Sequence, residues 1–327
     1  MVRRVTIGYE MNDTTYETGV TYQGSPAIVA SPVRTGSYAL ELASQELIGY
    51  GVSGATAVYM GVGVYLNNIA GVYDILQFWS SSAELFAIQV AIGGALQAVR
   101  GNTVMATSTS TISTGGWYYI EVYYLPDNSA GVATIRVNGA EWLTASGDTQ
   151  DNDDPFTVVR LVNTTAVGVN VEFDDLVIND TSGAVNISWP GQQKLYLATV
   201  NGDGDTTDLT PSAGDNYAAV DEIPPNTADY VYSDTATDID LYDITDPLAG
   251  TETLGSVVVN YVAKLDSGSG NIAATVKAGG TEDDGTTEGL TEAWLLYQAT
   301  WDVNPDDAGA WTPADIDGLQ IGIEIKA

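Results

Sequence analysis

Side chains that change character at every second position restrict this chain more than any other feature. Val58, Met60, Val62, Val64 and Leu66 fall on one side of an extended segment, with Tyr59, Gly61, Gly63 and Tyr65 on the other. The same period returns at Phe86, Ile88, Val90 and Ile92, at Tyr118, Ile120, Val122 and Tyr124, at Ile135 and Val137, and at Val169, Val171 and Phe173. A period of two belongs to a strand with one face in a core and one face out, the habit of antiparallel sheets. Residues 82–91 would suit a helix by propensity, yet their alternation predicts a strand. Turn residues punctuate the runs at Asn67-Asn68, Gly93-Gly94, Gly115-Gly116, Asp127-Asn128-Ser129 and Asn138-Gly139. Asn138-Gly139 fits a type I′ hairpin between Ile135-Arg136-Val137 and Glu141-Trp142-Leu143. Many short strands at roughly 8–12-residue spacing predict an all-β chain built as a sandwich or jelly roll.

A length of 327 residues suits two domains. The reading places a jelly-roll sandwich over residues 1–188. An acidic connecting segment of loops and short strands follows over 189–254. A second, smaller, sandwich-like β domain over 255–327 packs with that segment. Strands are expected at 257–265, 272–276, 294–301 and 319–325. One helical turn should precede the last: Thr312 can cap it, Pro313 suits the first helical position, Asp315 sits in the first turn and Gly318 can end it. No heptad, collagen triplet or longer repeat is visible, so no fibre shaft is encoded.

Histidine and cysteine are both absent. Disulfides, zinc sites built on Cys or His, and Ser-His-Asp or Cys-His nucleophilic centres are therefore excluded. Catalysis would have to rest on carboxylates, Tyr, Lys or a hard metal. The formal net charge is −33, and residues 191–327 hold 25 of the 43 acids but only 4 of the 10 bases. Binding of nucleic acid or an anionic membrane is not expected, because phosphate contacts need Lys and Arg. The acidity reads either as solubility and self-repulsion or as a cation-binding surface. Arg3 and Arg4 are followed by no apolar stretch of a signal peptide, and no run approaches the ~20 apolar residues of a membrane span.

Three stretches carry a resemblance. They are Asn186-Ile-Ser-Trp-Pro-Gly, Leu195-Tyr-Leu-Ala-Thr-Val-Asn-Gly-Asp-Gly-Asp and Tyr217-Ala-Ala-Val-Asp-Glu-Ile-Pro-Pro-Asn-Thr-Ala-Asp-Tyr-Val. This region resembles the joint of accessory virion proteins of tailed bacteriophages, in which a lectin-like sandwich precedes a second β module. The stretch from Trp301 to Ile316 resembles the end of the same proteins. Residues 1–186 resemble the concanavalin A-like lectin/glucanase sandwich and its laminin-G-like branch. The segments that carry this are Ser31-Pro-Val-Arg-Thr-Gly-Ser-Tyr-Ala-Leu, Gly116-Trp-Tyr-Tyr-Ile-Glu-Val-Tyr-Tyr, Ala133-Thr-Ile-Arg-Val-Asn-Gly and Glu172-Phe-Asp-Asp-Leu-Val-Ile. The resemblance implies a structural protein on the virion surface, decorating the capsid or forming part of the tail or collar. It would be assembled in the host cytoplasm without a signal peptide and would dock to other virion proteins. By the same analogy it would form a homo-oligomer, a trimer. The alternative is a glycan-binding adhesin module that holds a host-surface glycan; a polysaccharide hydrolase comes third.

Site candidates follow from residue types. The family's glucanases carry Glu, Asp and Glu in alternation on one strand, so that the carboxylates line one cleft. Glu172 and Asp174 fit the first two places, but Leu176 and Val177 stand where the third acid should be. The expectation is therefore no enzyme, with a last strand that closes the sandwich and whose acids, Glu172, Asp174 and Asp175, face solvent or pair with Arg. Asn201-Gly-Asp203-Gly-Asp205-Thr-Thr-Asp208 has the look of a calcium loop, with Asp203, Asp205 and Asp208 as ligands. The competing reading is a solvated turn whose acids accept from backbone N–H groups. Asp151, Asp153 and Asp154, and Asp238, Asp240 and Asp243, are weaker candidates. No other cofactor is expected. Trp79, Trp142 and Trp311 lie near turns and could stack on sugar rings, whereas core packing is the common fate of such side chains.

Overall fold

The computed structural model describes residues 3–12, 20–165, 168–182 and 184–327. The chain is all-β, apart from a few residues in short helical turns. Its described residues divide into two compact units, the first of 3–10 and 20–195 and the second of 11–12 and 196–327. Among the described residues no helix is long and apolar enough to cross a membrane.

The first unit is a jelly-roll sandwich of two antiparallel sheets. Sheet A runs in the order Ala140–Gly147, Gly131–Val137, Trp117–Leu125, Val58–Leu66, Val171–Asp180, Ala39–Leu42 and Ala27–Val29, and Arg3–Ile7 pairs with the second half of Val171–Asp180. Sheet B runs Thr103–Thr111, Ala95–Arg100, Glu84–Val90, Tyr73–Trp79, Val158–Asn163, Glu46–Gly51 and Val20–Gln23. The alternation read from the sequence is the wall of the core: Val58, Met60, Val62, Val64 and Leu66 are fully buried against Phe86, Ile88 and Val90 from the other sheet. Residues 82–91 do hold a strand. Tyr124 lies 4.5 Å from Phe78, 5.2 Å from Phe86 and 5.5 Å from Phe156, ring centre to ring centre, and its hydroxyl donates to the Thr149 carbonyl. Each such ring contributes about 1.5–3 kcal/mol by leaving water. Asn138 and Gly139 take φ of 50° and 84°, the pair of positive values a type I′ turn needs, and they join two strands of sheet A.

The second unit is built on a six-stranded sheet, sheet C. Val200–Thr207, Ile239–Ile244, Gln320–Lys326, Asn271–Ala278 and Thr281–Asp284 follow one another, and Glu288–Gly289 also pairs with Asn271–Ala278. A two-stranded sheet, Val257–Ala263 with Leu295–Trp301, packs a small core of Val259, Ala299, Trp301 and Trp311 with Ala274 and Val276 of sheet C. The helical turn forms at Pro313–Ile316, with the Asp315 carboxylate accepting from the Thr312 N–H at 2.7 Å. Two strands of sheet C, Val200–Thr207 and Ile239–Ile244, arise inside the segment expected to be loops and short strands across a surface. The reason is that its acids and glycines also keep a period of two: Asn201, Asp203, Asp205 and Thr207 are exposed, and Gly202, Gly204 and Thr206 are half-covered. Asp and Gly are poor strand formers, which hid the strand behind its composition. Gly204 tolerates no side chain, since a Cβ there would lie 2.7 Å from the Leu241 carbonyl oxygen of the neighbouring strand.

Candidate functional site

The outer face of sheet A gathers Arg34, Glu121, Arg136, Glu172, Asp174 and Asp175. Phe173 and Leu176 both face the core, with two residues between them, so the Val171–Asp180 strand bulges at Asp174 and Asp175. Asp175 adopts φ of 52°. The bulge turns two consecutive carboxylates onto one side, which strict alternation forbids. Asp174 accepts from the N–H groups of Arg34 at 2.9 Å and Thr35 at 3.2 Å. Asp175 accepts from the Thr35 hydroxyl at 2.6 Å, the Leu195 N–H at 2.8 Å and the Arg34 guanidinium. Gly61 and Gly63 make room for this cluster: a Cβ on Gly61 would sit 2.5 Å from the Tyr119 hydroxyl, and one on Gly63 2.6 Å from Arg34. Burial pushes the Asp174 carboxyl up to about 7, with neighbouring Asp175 adding to it and the backbone N–H groups opposing. Glu172 also rises to about 7, through burial and then Glu41. The expectation that these acids face solvent is corrected, because Asp174 and Asp175 are fully buried and Glu172 nearly so. The alternative, pairing with Arg, holds for Asp175.

Residues 189–195 close this face. Trp189 meets Tyr59 edge-on at 5.2 Å, and the Arg136 guanidinium lies 4.7 Å over its indole. The Gly191 N–H donates to Glu121 at 2.9 Å, and the Gln193 carbonyl accepts from Arg34 at 2.6 Å. Arg34 itself lies 4.6 Å over the Tyr119 ring. These residues, read as the start of a connecting segment, lie on the sandwich as a strap. The buried charges of sheet A serve to hold it.

The outer face of sheet B carries a different cluster. Asp74 accepts from the Gln77 amide at 2.8 Å and the Gln89 amide at 2.9 Å. The Trp79 indole N–H donates to Gln77 at 2.9 Å, and the Arg160 guanidinium stacks 3.6 Å from the Trp79 ring centre. Pairing in register aligns Asp74, Gln89, Gln97 and Thr107 across four strands. The adjacent row is Ala87, Gln77, Arg160 and Gly49, and the next is Glu84, Trp79 and Val158. Ala87 and Gly49 are the small residues at the two ends of that row, with Gln77 and Arg160 between them. Glu84 is pushed up to about 7 by burial and by Asp74 and Asp151, with Arg160 opposing. Arg160 is lowered by burial, against the pull of Glu84. Apart from Gln77 these polar groups are half-exposed. They offer fixed acceptors, amide donors, one cation and a ring edge on one face. Sequence reading missed Asp74, Gln77, Gln89, Glu84 and Arg160. The usable signal was long polar side chains inside otherwise apolar strands, blurred by a bulge between Asp74 and Leu76.

The candidate residues themselves are scattered. Trp79 belongs to the sheet B cluster, with Arg160 on its ring. Trp142 lies on a sheet A edge strand and packs against the core. Trp311 is 2% exposed in the second unit and donates to the Trp301 carbonyl at 2.8 Å, so it is a core residue. The three form no common platform. Asp203 and Asp205 sit on a strand and not in a loop. Asp203 accepts from the Tyr217 N–H at 2.8 Å, Asp205 pairs with Lys277 at 2.9 Å, and Asp208 lies 3.4 Å from the Ile239 N–H. Among the described residues no group of three or more acidic side chains has metal-holding geometry. Asp240 is fully buried and accepts from the Leu209 N–H, the Asn216 amide and the Tyr242 hydroxyl at 2.7–2.9 Å, which pins the loop after Val200–Thr207.

No protein-family model and no curated protein sequence matches the chain. Solved structures similar to it include an endo-β-1,4-glucuronan lyase from the fungus Trichoderma reesei, at 15% identity and TM-score 0.43, covering 55% of this chain and 96% of that one. A cellulose induced protein, Cip1, is 15% identical at TM-score 0.42, over 58% of this chain and 100% of that one. The alginate lyase Aly36B is 12% identical at TM-score 0.41, over 53% and 95%. The expectation of no enzyme is corrected on this finding, since two of these three structures are named as lyases. The physical reason is that the exclusion was too narrow. It removed His and Cys chemistry and tested one carboxylate motif, leaving the Glu84, Asp74 and Arg160 cluster unweighed. At these identities and TM-scores the likeness assigns this chain no reaction.

Proposed function

We propose that this chain is an attachment protein on the surface of a tailed-phage particle, and that the outer face of sheet B holds a glycan. One observation carries the glycan reading. The Trp79–Arg160 stack is joined through the Trp79 indole N–H and Gln77 to the Asp74–Gln89 network on one half-exposed face. Sugar hydroxyls need donors and acceptors fixed in advance beside apolar surface, and this face supplies both. Asp74, Glu84 and the net charge of −33 disfavour polyanions, so the ligand class is a neutral or amino-bearing oligosaccharide. The particle reading rests on the resemblance around residues 186–246 and makes other virion proteins and further copies of the chain its partners.

An oligosaccharide array tests the glycan part. Retention of a neutral oligosaccharide by the intact protein, lost in Asp74→Ala and in Trp79→Ala variants that keep the native circular dichroism, supports it. Absence of retention, or equal retention by both variants, overturns it. Electron microscopy of particles labelled with an antibody against the chain, with sedimentation for the copy number, tests the particle part.

A further inference from the structure

Three aromatic rings of the second unit stand together outside its core. Tyr230 and Tyr232 are 40% and 54% exposed. Their ring centres lie 6.1 Å apart at an interplanar angle of 57°, and Tyr230 lies 6.1 Å from Trp294 at 58°. The backbone holds these positions. Tyr232 opposes Thr210 in a short strand pair, and Tyr230 exchanges hydrogen bonds with Ser212, N–H to hydroxyl at 3.0 Å and carbonyl to N–H at 2.8 Å. Trp294 immediately precedes Leu295–Trp301, Lys264 immediately follows Val257–Ala263, and Ala263 pairs with Leu295. That pairing brings the Lys264 ammonium to 5.3 Å over the Trp294 ring.

The geometry selects a ligand. A platform for a flat sugar face needs rings near one plane, whereas tilts of 57° and 58° take the three rings out of one plane and turn their electron-rich faces in different directions about Tyr230. Ring faces gathered in this way attract cations through their quadrupoles. The long-range field agrees, with 25 acids against 4 bases over residues 191–327. Lys264 already shows an alkylammonium against this aromatic surface. Methyl groups on the nitrogen lower the cost of stripping water and fit apolar walls, so a quaternary ammonium should outcompete a primary one. We propose that Tyr230, Tyr232 and Trp294 form a binding site for a trimethylammonium group, with Lys264 as its built-in competitor. This site is separate from the sheet B face and does not depend on the glycan reading.

The test is an NMR titration of the full chain with choline at constant ionic strength, beside its uncharged isostere 3,3-dimethylbutan-1-ol. Choline should bind with a dissociation constant on the order of millimolar, and the isostere about ten-fold more weakly, as expected for an exposed cation–π site. Lys264→Met should tighten choline binding about two- to five-fold, and Trp294→Ala should weaken it about ten-fold, with Trp294→Phe retaining part of the affinity as a ring of similar shape. Failure of choline to bind both the wild type and Lys264→Met overturns the proposal. So does equal binding of the uncharged isostere, or unchanged binding in both Trp294→Ala and Tyr230→Ser.

Discussion

The two outer faces of the first unit start from similar material and end differently. Each sets carboxylates and arginines stacked on aromatic rings, two on sheet A and one on sheet B, on a sheet whose other side is the core. On sheet A, Arg34 bonds Asp174 and Asp175, and Arg34, Asp175 and Glu121 each bond residues 189–195, so the chain itself covers them. On sheet B, Arg160, Asp74, Gln77 and Gln89 make contacts within the face and leave it half-open. Burial of charge therefore has two meanings here. Where a strap closes over the charges, they fix the chain path. Where no described residue closes over them, the same groups remain for a ligand. Raised carboxyl pKa values appear on both faces, at Asp174 and at Glu84, so they do not separate the two cases. Coverage does.

The largest expected effect comes from breaking sheet A. Arg34→Ala leaves Asp175 buried without its cation and removes the donor to the Gln193 carbonyl. Loss of one partner of a buried pair costs about 3–5 kcal/mol. Urea denaturation should show that loss, with proteolysis near residues 189–195 becoming faster. A loss under about 1 kcal/mol would mean that the sheet A charges do not hold the strap, and the contrast between the faces would collapse.

A second effect of the same cluster, spread over the pH range, is its pH dependence. Asp174 is held near 7 when folded, above its ordinary carboxylate value near 4. The unfolded chain then releases this proton at lower pH than the folded one. Stability from this group is present in full below about 4 and is lost as pH rises from about 4 to 7, at up to ~1.4 kcal/mol per pH unit. Asp180 and Asp284 are lowered instead, and their contributions are lost as pH falls below the ordinary carboxylate range, a separate window. Stability measured by urea denaturation between pH 4.5 and 7.5 should therefore decline with pH, and Asp174→Asn should flatten the decline by about one proton. An unchanged slope in the variant would place the Asp174 carboxyl in contact with solvent.

These contrasts also show what was legible beforehand. The strand at Val58–Leu66, the Asn138-Gly139 turn and the capped turn at Thr312 follow from local rules, so the all-β sandwich could be read. The bulge at Asp174 and Asp175 could not, because a single extra residue shifts every later side chain to the other face without changing the composition. The strap could not be read either. Trp189 and Gly191 are short-range turn material, and only the fold brings Glu121 and Arg34 beneath them. Of the sheet B face the sequence offered only Trp79, because Arg160 meets it through pairing of strands far apart in the chain.

On sheet B the expected effects are modest in stability and larger in binding. Gln89→Leu removes one donor to Asp74 from a half-open face, a cost of about 0.5–1.5 kcal/mol. If the face takes a glycan, the same change should reduce retention about ten-fold, since one lost hydrogen bond to a fixed network is worth about that much. Retention unchanged in Gln89→Leu would move the site off this face while leaving the stability comparison with sheet A intact.

The smallest and sharpest test concerns Arg160 and Glu84, which influence each other only through space. Removing the guanidinium in Arg160→Met takes away the single influence that lowers Glu84, while burial, Asp74 and Asp151 continue to raise it. Carbon-detected NMR titration should then show the Glu84 carboxyl moving upward from about 7. Stability should change by less than about 1 kcal/mol, because a half-exposed cation on an indole is worth little and methionine still covers the ring. An upward movement without loss of stability shows one electrostatically connected face, open and held ready. A Glu84 titration that does not move would divide sheet B into two independent clusters, and the Asp74 network would have to bind its ligand without the cation beside it.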